Sequence, residues 1–123
     1  MASNKIVHWE LMGPDASALN SFYHEMFGWK GQEVPGFGGY TMIAADDSGI
    51  AGAVGAGSEQ MPSYQTMYVE VESIDAHLAK VEAGGGKTVV PRTVVPGMVV
   101  FGMFNDPAGN LVGLVEEETP PAE

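Results

Sequence analysis

A histidine and a glutamate stand two residues apart in the stretch HWELMGPD, residues 8 to 15. His8 could act as a general base near neutral pH, and Glu10 could orient its imidazole or raise its basicity. The same pair could instead belong to a metal site, or could simply face solvent on one side of a sheet. Apolar and polar residues alternate around the pair, which predicts a strand whose polar face carries His8, Glu10 and Met12.

The elements around this strand follow a repeated order. Residues 16–27 carry apolar side chains at helical spacing, with Asp15 as the expected N-cap and Gly28 as the end of the helix. Three short strands are expected before residue 56, and a second strand, helix and three strands follow from residue 66. The helical stripe consists of Leu19, Phe22, Tyr23, Met26 and Phe27. Neither half is large enough to bury a good core alone, so the two halves are expected to pair.

Composition excludes several classes of protein. The chain has 123 residues and no cysteine, which fits one domain without disulfides or thiolate metal sites. Five Lys+Arg against 16 Asp+Glu give a net charge of −11, which disfavours nucleic acid and membrane surfaces and favours cationic ligands. The sequence has no apolar run long enough for a membrane span and no signal-peptide pattern. We therefore expect a cytoplasmic protein with no nucleic-acid or membrane partner.

Four motifs in order resemble the vicinal oxygen chelate superfamily, which includes glyoxalase I, extradiol dioxygenases and bleomycin-resistance proteins. They are HWELMGPD at 8–15, FYHEMFGW at 22–29, VEVESID at 69–75 and NDPAGNLVGLVE at 105–116. The resemblance implies an α+β fold in which two paired βαβββ modules form a curved mixed sheet around a cleft. It implies a single domain over 1–123, with modules at 5–57 and 64–117 and an acidic tail at 118–123. The modules could pair within one chain or swap between two.

The resemblance also implies where a divalent metal would bind in metal-dependent members. His8 matches the ligand on the first strand, but the matching position in the second half is Thr66. The last-strand glutamate falls on Gly113, and the fourth-strand glutamate falls near Gly52. A catalytic metal usually takes at least three protein ligands. We therefore expect no cofactor, and a divalent metal held in part by His8 is the minor alternative.

By the same resemblance, the cleft is lined by aromatic and methionine side chains with a few polar groups. Such a lining suits a hydrophobic organic molecule that is oriented by two or three hydrogen bonds. Each of these residues could also be ordinary core or solvated surface. The expected ligand-binding residues are Met12, Tyr40, Met42, Thr66, Tyr68, Glu70, Phe101, Met103 and Gly113.

Two functions are left open by these residues. The first is a metal-independent protein of the drug-sequestration type that binds a small hydrophobic or cationic organic molecule. The alternative is a lyase, isomerase or epimerase of the glyoxalase type that uses His8 and Glu10, with or without a metal. Arg92 is the one arginine in the chain and lies far from this pair in sequence, which weakens the enzymatic alternative. The resemblance implies a homodimer in both cases.

Overall fold

A computed structural model of the chain describes residues 3–116, so the expected acidic tail at 118–123 lies outside the described residues. The chain divides into two compact units. The first unit is Val7–Met67, and the second unit is formed by residues 3–6 together with 68–116. None of the helices in the described part of the chain is long and apolar enough to cross a membrane.

The first unit contains a mixed sheet with the strand order β2-β3-β4-β1. Its elements are β1 (Ile6–Gly13), α1 (Ala16–Phe27), β2 (Gly31–Glu33), β3 (Thr41–Ile43), α2 (Ala45–Ser48) and β4 (Gly52–Ala56). Strands β1 and β4 are parallel, whereas the β2–β3 and β3–β4 pairs are antiparallel. The sequence predicted a turn where the short helix α2 forms, directly after β3.

Both predicted ends of α1 are confirmed. The Asp15 carboxylate accepts a hydrogen bond from the Ala18 N–H at 3.0 Å, which satisfies a free amide of the first turn. Gly28 has a φ of 73° and its N–H donates to the His24 carbonyl, so a residue without a β-carbon ends the helix. The apolar stripe is only partly covered. Phe22, Met26 and Phe27 are 51%, 55% and 62% exposed.

The second unit repeats the order of strand, helix and three strands. Its elements are β5 (Tyr64–Val71, of which Tyr68 onward belongs to this unit), α3 (Ile74–Ala83), β6 (Lys87–Val95), β7 (Val99–Asn105) and β8 (Leu111–Glu116). The strand order is β5-β8-β7-β6, with β5 and β8 parallel. The helix packs on one sheet face through a core of Val71, Ile74, Leu78, Val100 and Leu114.

One carboxylate fixes the start of α3. Glu116 accepts hydrogen bonds from the Arg92 guanidinium at 3.1–3.2 Å and from the Ile74 N–H at 2.7 Å. The Arg92 guanidinium, more than any other group, holds the pKa of Glu116 below its usual range. The single arginine is therefore engaged in fixing the fold of the second unit. With both units described, the predicted α+β fold class, built from two βαβββ arrangements, is confirmed.

Candidate functional site

The two faces of the first unit's sheet differ in chemistry. Trp9 and Leu11 lie on the α1 side, where a β-carbon at the neighbouring Gly13 would lie 3.2 Å from Leu19 of the helix. His8 and Glu10 therefore lie on the opposite face, which we call the polar face. The same face carries further side chains placed by strand alternation and by the register of β3, β4 and β1, namely Met12, Tyr40, Met42, Ala53 and Gly55.

Three side chains that the sequence singled out meet on the polar face. The Tyr40 hydroxyl donates to the Glu10 carboxylate at 2.6 Å, and His8 Nε2 lies 2.9 Å from the same hydroxyl oxygen. His8 Nε2 and the Glu10 carboxylate are 3.9 Å apart, so Tyr40 bridges the two groups rather than leaving them in direct contact. Glu10 is only 7% exposed, whereas His8 and Tyr40 are half-buried. A buried carboxylate needs such donors to offset its lost hydration.

Tyr64 completes this group, and the sequence analysis missed it. Its phenol lies near the Glu10 carboxylate. Tyr64 is the first residue of β5 and belongs to the first unit. It continues the period-2 series that includes Thr66 and Tyr68, so extending that series by one step could have identified it. We call His8, Glu10, Tyr40 and Tyr64 the carboxylate cluster.

Burial and the Glu10 carboxylate keep both phenols protonated. Burial first, and the nearby Glu10 second, raise the pKa of Tyr40 well above its usual range. The same two causes raise the pKa of Tyr64 to about 12. Both hydroxyls therefore remain protonated at neutral pH, and that of Tyr40 donates to Glu10.

Burial also lowers the pKa of His8 below 6.5, although the Glu10 carboxylate opposes this shift. We predict that NMR titration of His8 gives a pKa below 6.5, and that Glu10→Gln lowers it further because the opposing attraction is removed. Stability should then fall as the pH drops from about 6.5 towards the folded-state pKa, because the unfolded chain takes up a proton that the folded chain excludes. A His8 pKa above 6.5 would contradict this prediction.

The remaining predicted site residues lie elsewhere. Tyr68, Phe101, Met103 and Gly113 share the face of the second unit's sheet opposite α3, and the Tyr68 hydroxyl lies 4.0 Å from the Met103 sulfur. Tyr68 and Met103 are buried there, and Phe101 is half-buried. Thr66 is half-buried and donates to the Met67 carbonyl at 3.4 Å. The side chain of Glu70 is exposed.

The described residues do not fit a divalent metal. Among residues 3–116, no three His, Asp or Glu side chains are grouped so that they could hold a metal ion. His8 Nε2 contacts Tyr40, and a β-carbon at Gly113 would lie 2.2 Å from the Tyr68 ring, so the ring fills the space of a side chain there. Gly52 lies on the α1 side against the Trp9 ring, and it is the next residue, Ala53, that pairs with Glu10 on the polar face.

Comparison with known proteins identifies relatives of this chain. The chain is 32% identical over 117 residues to the anthracycline biosynthesis protein DnrV of Streptomyces peucetius, a match that covers 82% of this chain. The chain spans only 42% of the length of that relative.

Solved structures show the same fold at low identity. Methylmalonyl-CoA epimerase from Mycobacterium tuberculosis superposes with a TM-score of 0.64 and 16% identity, over 97% of this chain and 94% of that chain. A glyoxalase/bleomycin resistance protein/dioxygenase superfamily member from Vibrio splendidus 12B01 gives a TM-score of 0.64 and 16% identity, over 94% of this chain and 100% of that chain. The sequence profile of one family matches residues 5–114. The chain belongs to the Glyoxalase/Bleomycin resistance protein/Dioxygenase superfamily.

Proposed function

We propose that this chain binds a small, flat, hydrophobic organic molecule on the polar face of the first unit, without a metal, as a protein of the drug-sequestration type. The observation that carries the proposal is the carboxylate cluster, in which Glu10, Tyr40 and His8 are joined by hydrogen bonds of 2.6 and 2.9 Å. Polar groups fixed in this way can orient a ligand, while apolar neighbours supply most of the contact area.

The cluster supports binding without a metal. His8 is the one residue that matches a ligand of the metal-dependent members, and its Nε2 atom is engaged with the Tyr40 hydroxyl. A metal at Nε2 would have to displace that contact, and the Glu10 carboxylate accepts a hydrogen bond from Tyr40. An organic molecule can bind beside the cluster without breaking the contact between His8 Nε2 and Tyr40, because it does not need His8 or Glu10 to coordinate a metal.

The surroundings of the cluster suit a flat apolar molecule. Met42 is 37% exposed and Met12 is half-buried on the same face, and thioether side chains adapt to ligands of different shape. Gly55 has no side chain, so the space beside the Tyr40 ring is left open. A β-carbon at this position would lie 3.1 Å from that ring. A relative named as an anthracycline biosynthesis protein agrees with such a ligand, because anthracyclines contain fused flat rings.

Methionine methyl NMR tests this proposal. Chelator-treated protein is titrated with a panel of fused-ring aromatic compounds while the methyl signals are followed. We expect a compound that binds to shift the methyl signals of Met12 and Met42. The methyl signal of Met26 should not change, because Met26 is exposed on α1 and does not lie on the polar face.

Titration with Zn²⁺, Ni²⁺, Mn²⁺ and Fe²⁺, for wild type and for His8→Ala, is the matched control. Stoichiometric metal binding that is lost in His8→Ala would contradict the proposal. Equal shifts at Met26 and Met42 would also contradict it, because they would indicate non-specific adsorption.

A second candidate is a lyase, isomerase or epimerase that uses His8 and Glu10. The observation that favours it is that burial lowers the pKa of His8, so the imidazole is neutral at pH 7 and able to accept a proton. Exchange of a carbon-bound hydrogen next to a carbonyl with solvent deuterium would reveal this activity. The exchange should be lost in His8→Ala and kept in His24→Ala, since His24 is exposed on α1. Exchange that survives in His8→Ala would contradict the enzymatic candidate.

A further inference from the structure

We infer that the exposed surface of α1 binds the α1 of a second copy of this chain, with the two helices antiparallel. The surface is formed by Ala18, Phe22 and Met26, which we call the α1 ridge. Because it lies on the helix side of the first unit's sheet, the α1 ridge is separate from the polar face and from its proposed ligand.

The α1 ridge is apolar and exposed. Its residues are spaced four apart, so they follow one another along a single ridge of the helix. Ala18 is exposed, and Phe22 and Met26 are 51% and 55% exposed. Large apolar side chains that lie together on a surface in this way usually mark an interaction site.

The order of side-chain sizes along the ridge matches an antiparallel copy of itself. The small Ala18 lies at one end, the long Met26 lies at the other, and Phe22 lies midway. In two helices related by a two-fold axis through Phe22, each Ala18 faces Met26 of the other copy, and the two Phe22 rings face each other. A parallel pair would place Ala18 against Ala18 and would leave a gap between the helices at that end.

The charges beside the ridge match in the same arrangement. Asp15 precedes α1 and Lys30 follows it, at nearly equal distances in sequence from Phe22. The antiparallel pair therefore brings Lys30 of each copy near Asp15 of the other, at both ends of the interface. Both residues are exposed, and the ion pairs found within residues 3–116 involve neither of them. A second copy thus offers each of them an opposite charge at the register that pairs Ala18 with Met26.

The size of the surface indicates a reversible dimer. Phe22, Met26 and the adjacent Phe27 are between 51% and 62% exposed, which amounts to on the order of 300 Å² of apolar surface in each copy. Stable interfaces bury about 800 Å² per partner, and weaker ones bury less. We therefore expect monomer and dimer to exchange at micromolar concentration or above.

Sedimentation velocity of the full chain, from micromolar to near-millimolar concentration, tests the surface. The wild-type chain should become dimeric as its concentration rises. Phe22→Glu should weaken dimerisation about tenfold or more, because it places two carboxylates face to face at the two-fold axis. Met98→Glu is the matched control, since it adds the same charge at a residue that is 45% exposed between β6 and β7. Circular dichroism checks that each variant is folded.

Single cysteines test the register without a disruptive charge. The chain has no cysteine of its own, so each introduced thiol reports on its own position. Under mild oxidation, Phe22→Cys should form a disulfide-linked dimer with itself. Ala18→Cys should do so when it is mixed with Met26→Cys and hardly at all alone, because the two copies of position 18 would lie about 12 Å apart along the helices.

Each outcome decides between this dimer and another arrangement. A wild-type chain that stays monomeric at all concentrations would overturn the inference and leave the α1 ridge to a different partner. A dimer that Phe22→Glu and Met98→Glu weaken equally, or that survives both changes, would place the interface elsewhere and would also overturn it. Ready cross-linking of Ala18→Cys with itself would show a parallel pair, and the antiparallel register would be wrong.

Discussion

Gly113→Ala is expected to lower the free energy of unfolding by about 3 kcal/mol, the upper end for added volume in a packed interior. The new β-carbon would lie 2.2 and 2.4 Å from two carbons of the Tyr68 ring. That ring is 5% exposed, and its hydroxyl lies against the Met103 sulfur, so it has little freedom to move away. Equilibrium denaturation in urea measures the change.

A double-mutant cycle tests this physical reason. In a Tyr68→Ala background the ring is absent, and adding Gly113→Ala should then cost little or even fill part of the cavity. Gly84→Ala is the matched control, because a β-carbon there meets nothing closer than the Lys80 carbonyl at 3.3 Å and the backbone φ is −92°. A cost that is the same with and without the Tyr68 ring would contradict the account.

Tyr40→Phe is expected to lower the free energy of unfolding by about 1.5–3 kcal/mol, as for loss of a hydrogen bond to a charged group. The substitution keeps the ring and removes the hydroxyl that donates to Glu10 at 2.6 Å. It leaves a carboxylate that is 7% exposed with one donor fewer, and it removes the hydroxyl that His8 Nε2 contacts. Equilibrium denaturation in urea at pH 7 measures the change.

Tyr23→Phe is the control for loss of a phenol hydroxyl. Tyr23 is half-buried on α1, and its described contacts are between rings, with Phe22, Phe27 and Trp29. Removal of its hydroxyl should change stability by less than about 0.5 kcal/mol. An equal loss in Tyr23→Phe and Tyr40→Phe would show that the bond to Glu10 contributes nothing of its own.

The local fold could be read from the sequence because its signals are local. Asp15 and Gly28 bound α1 through their own backbone and side-chain chemistry, and alternation alone places His8 and Glu10 on one face. The packing of α1 was less predictable. Its apolar stripe continues to Phe27, yet Phe27 is 62% exposed, since periodicity records which side of a helix is apolar and not which of its residues the rest of the fold covers.

The candidate site was predictable in part for the same reason. Contact between His8 and Tyr40 joins residues 32 positions apart, and it depends on the register of β3, β4 and β1. The period-2 series of Thr66 and Tyr68 could have placed Tyr64 on the same side of its strand, but the sequence does not show that it lies near Glu10, 54 residues away. The roles of Gly52 and Gly113 were also hidden, because a glycine in a sequence does not reveal which aromatic ring covers it.

The ring of Tyr68 on Gly113 has a consequence for which residues these two positions can carry. A carboxylate at position 113 would need Tyr68 to change as well, and each single step is harmful: one creates a clash at 2.2 Å, the other empties a buried ring's volume. Positions 68 and 113 are therefore coupled, and a side chain can be introduced at one only together with a smaller residue at the other.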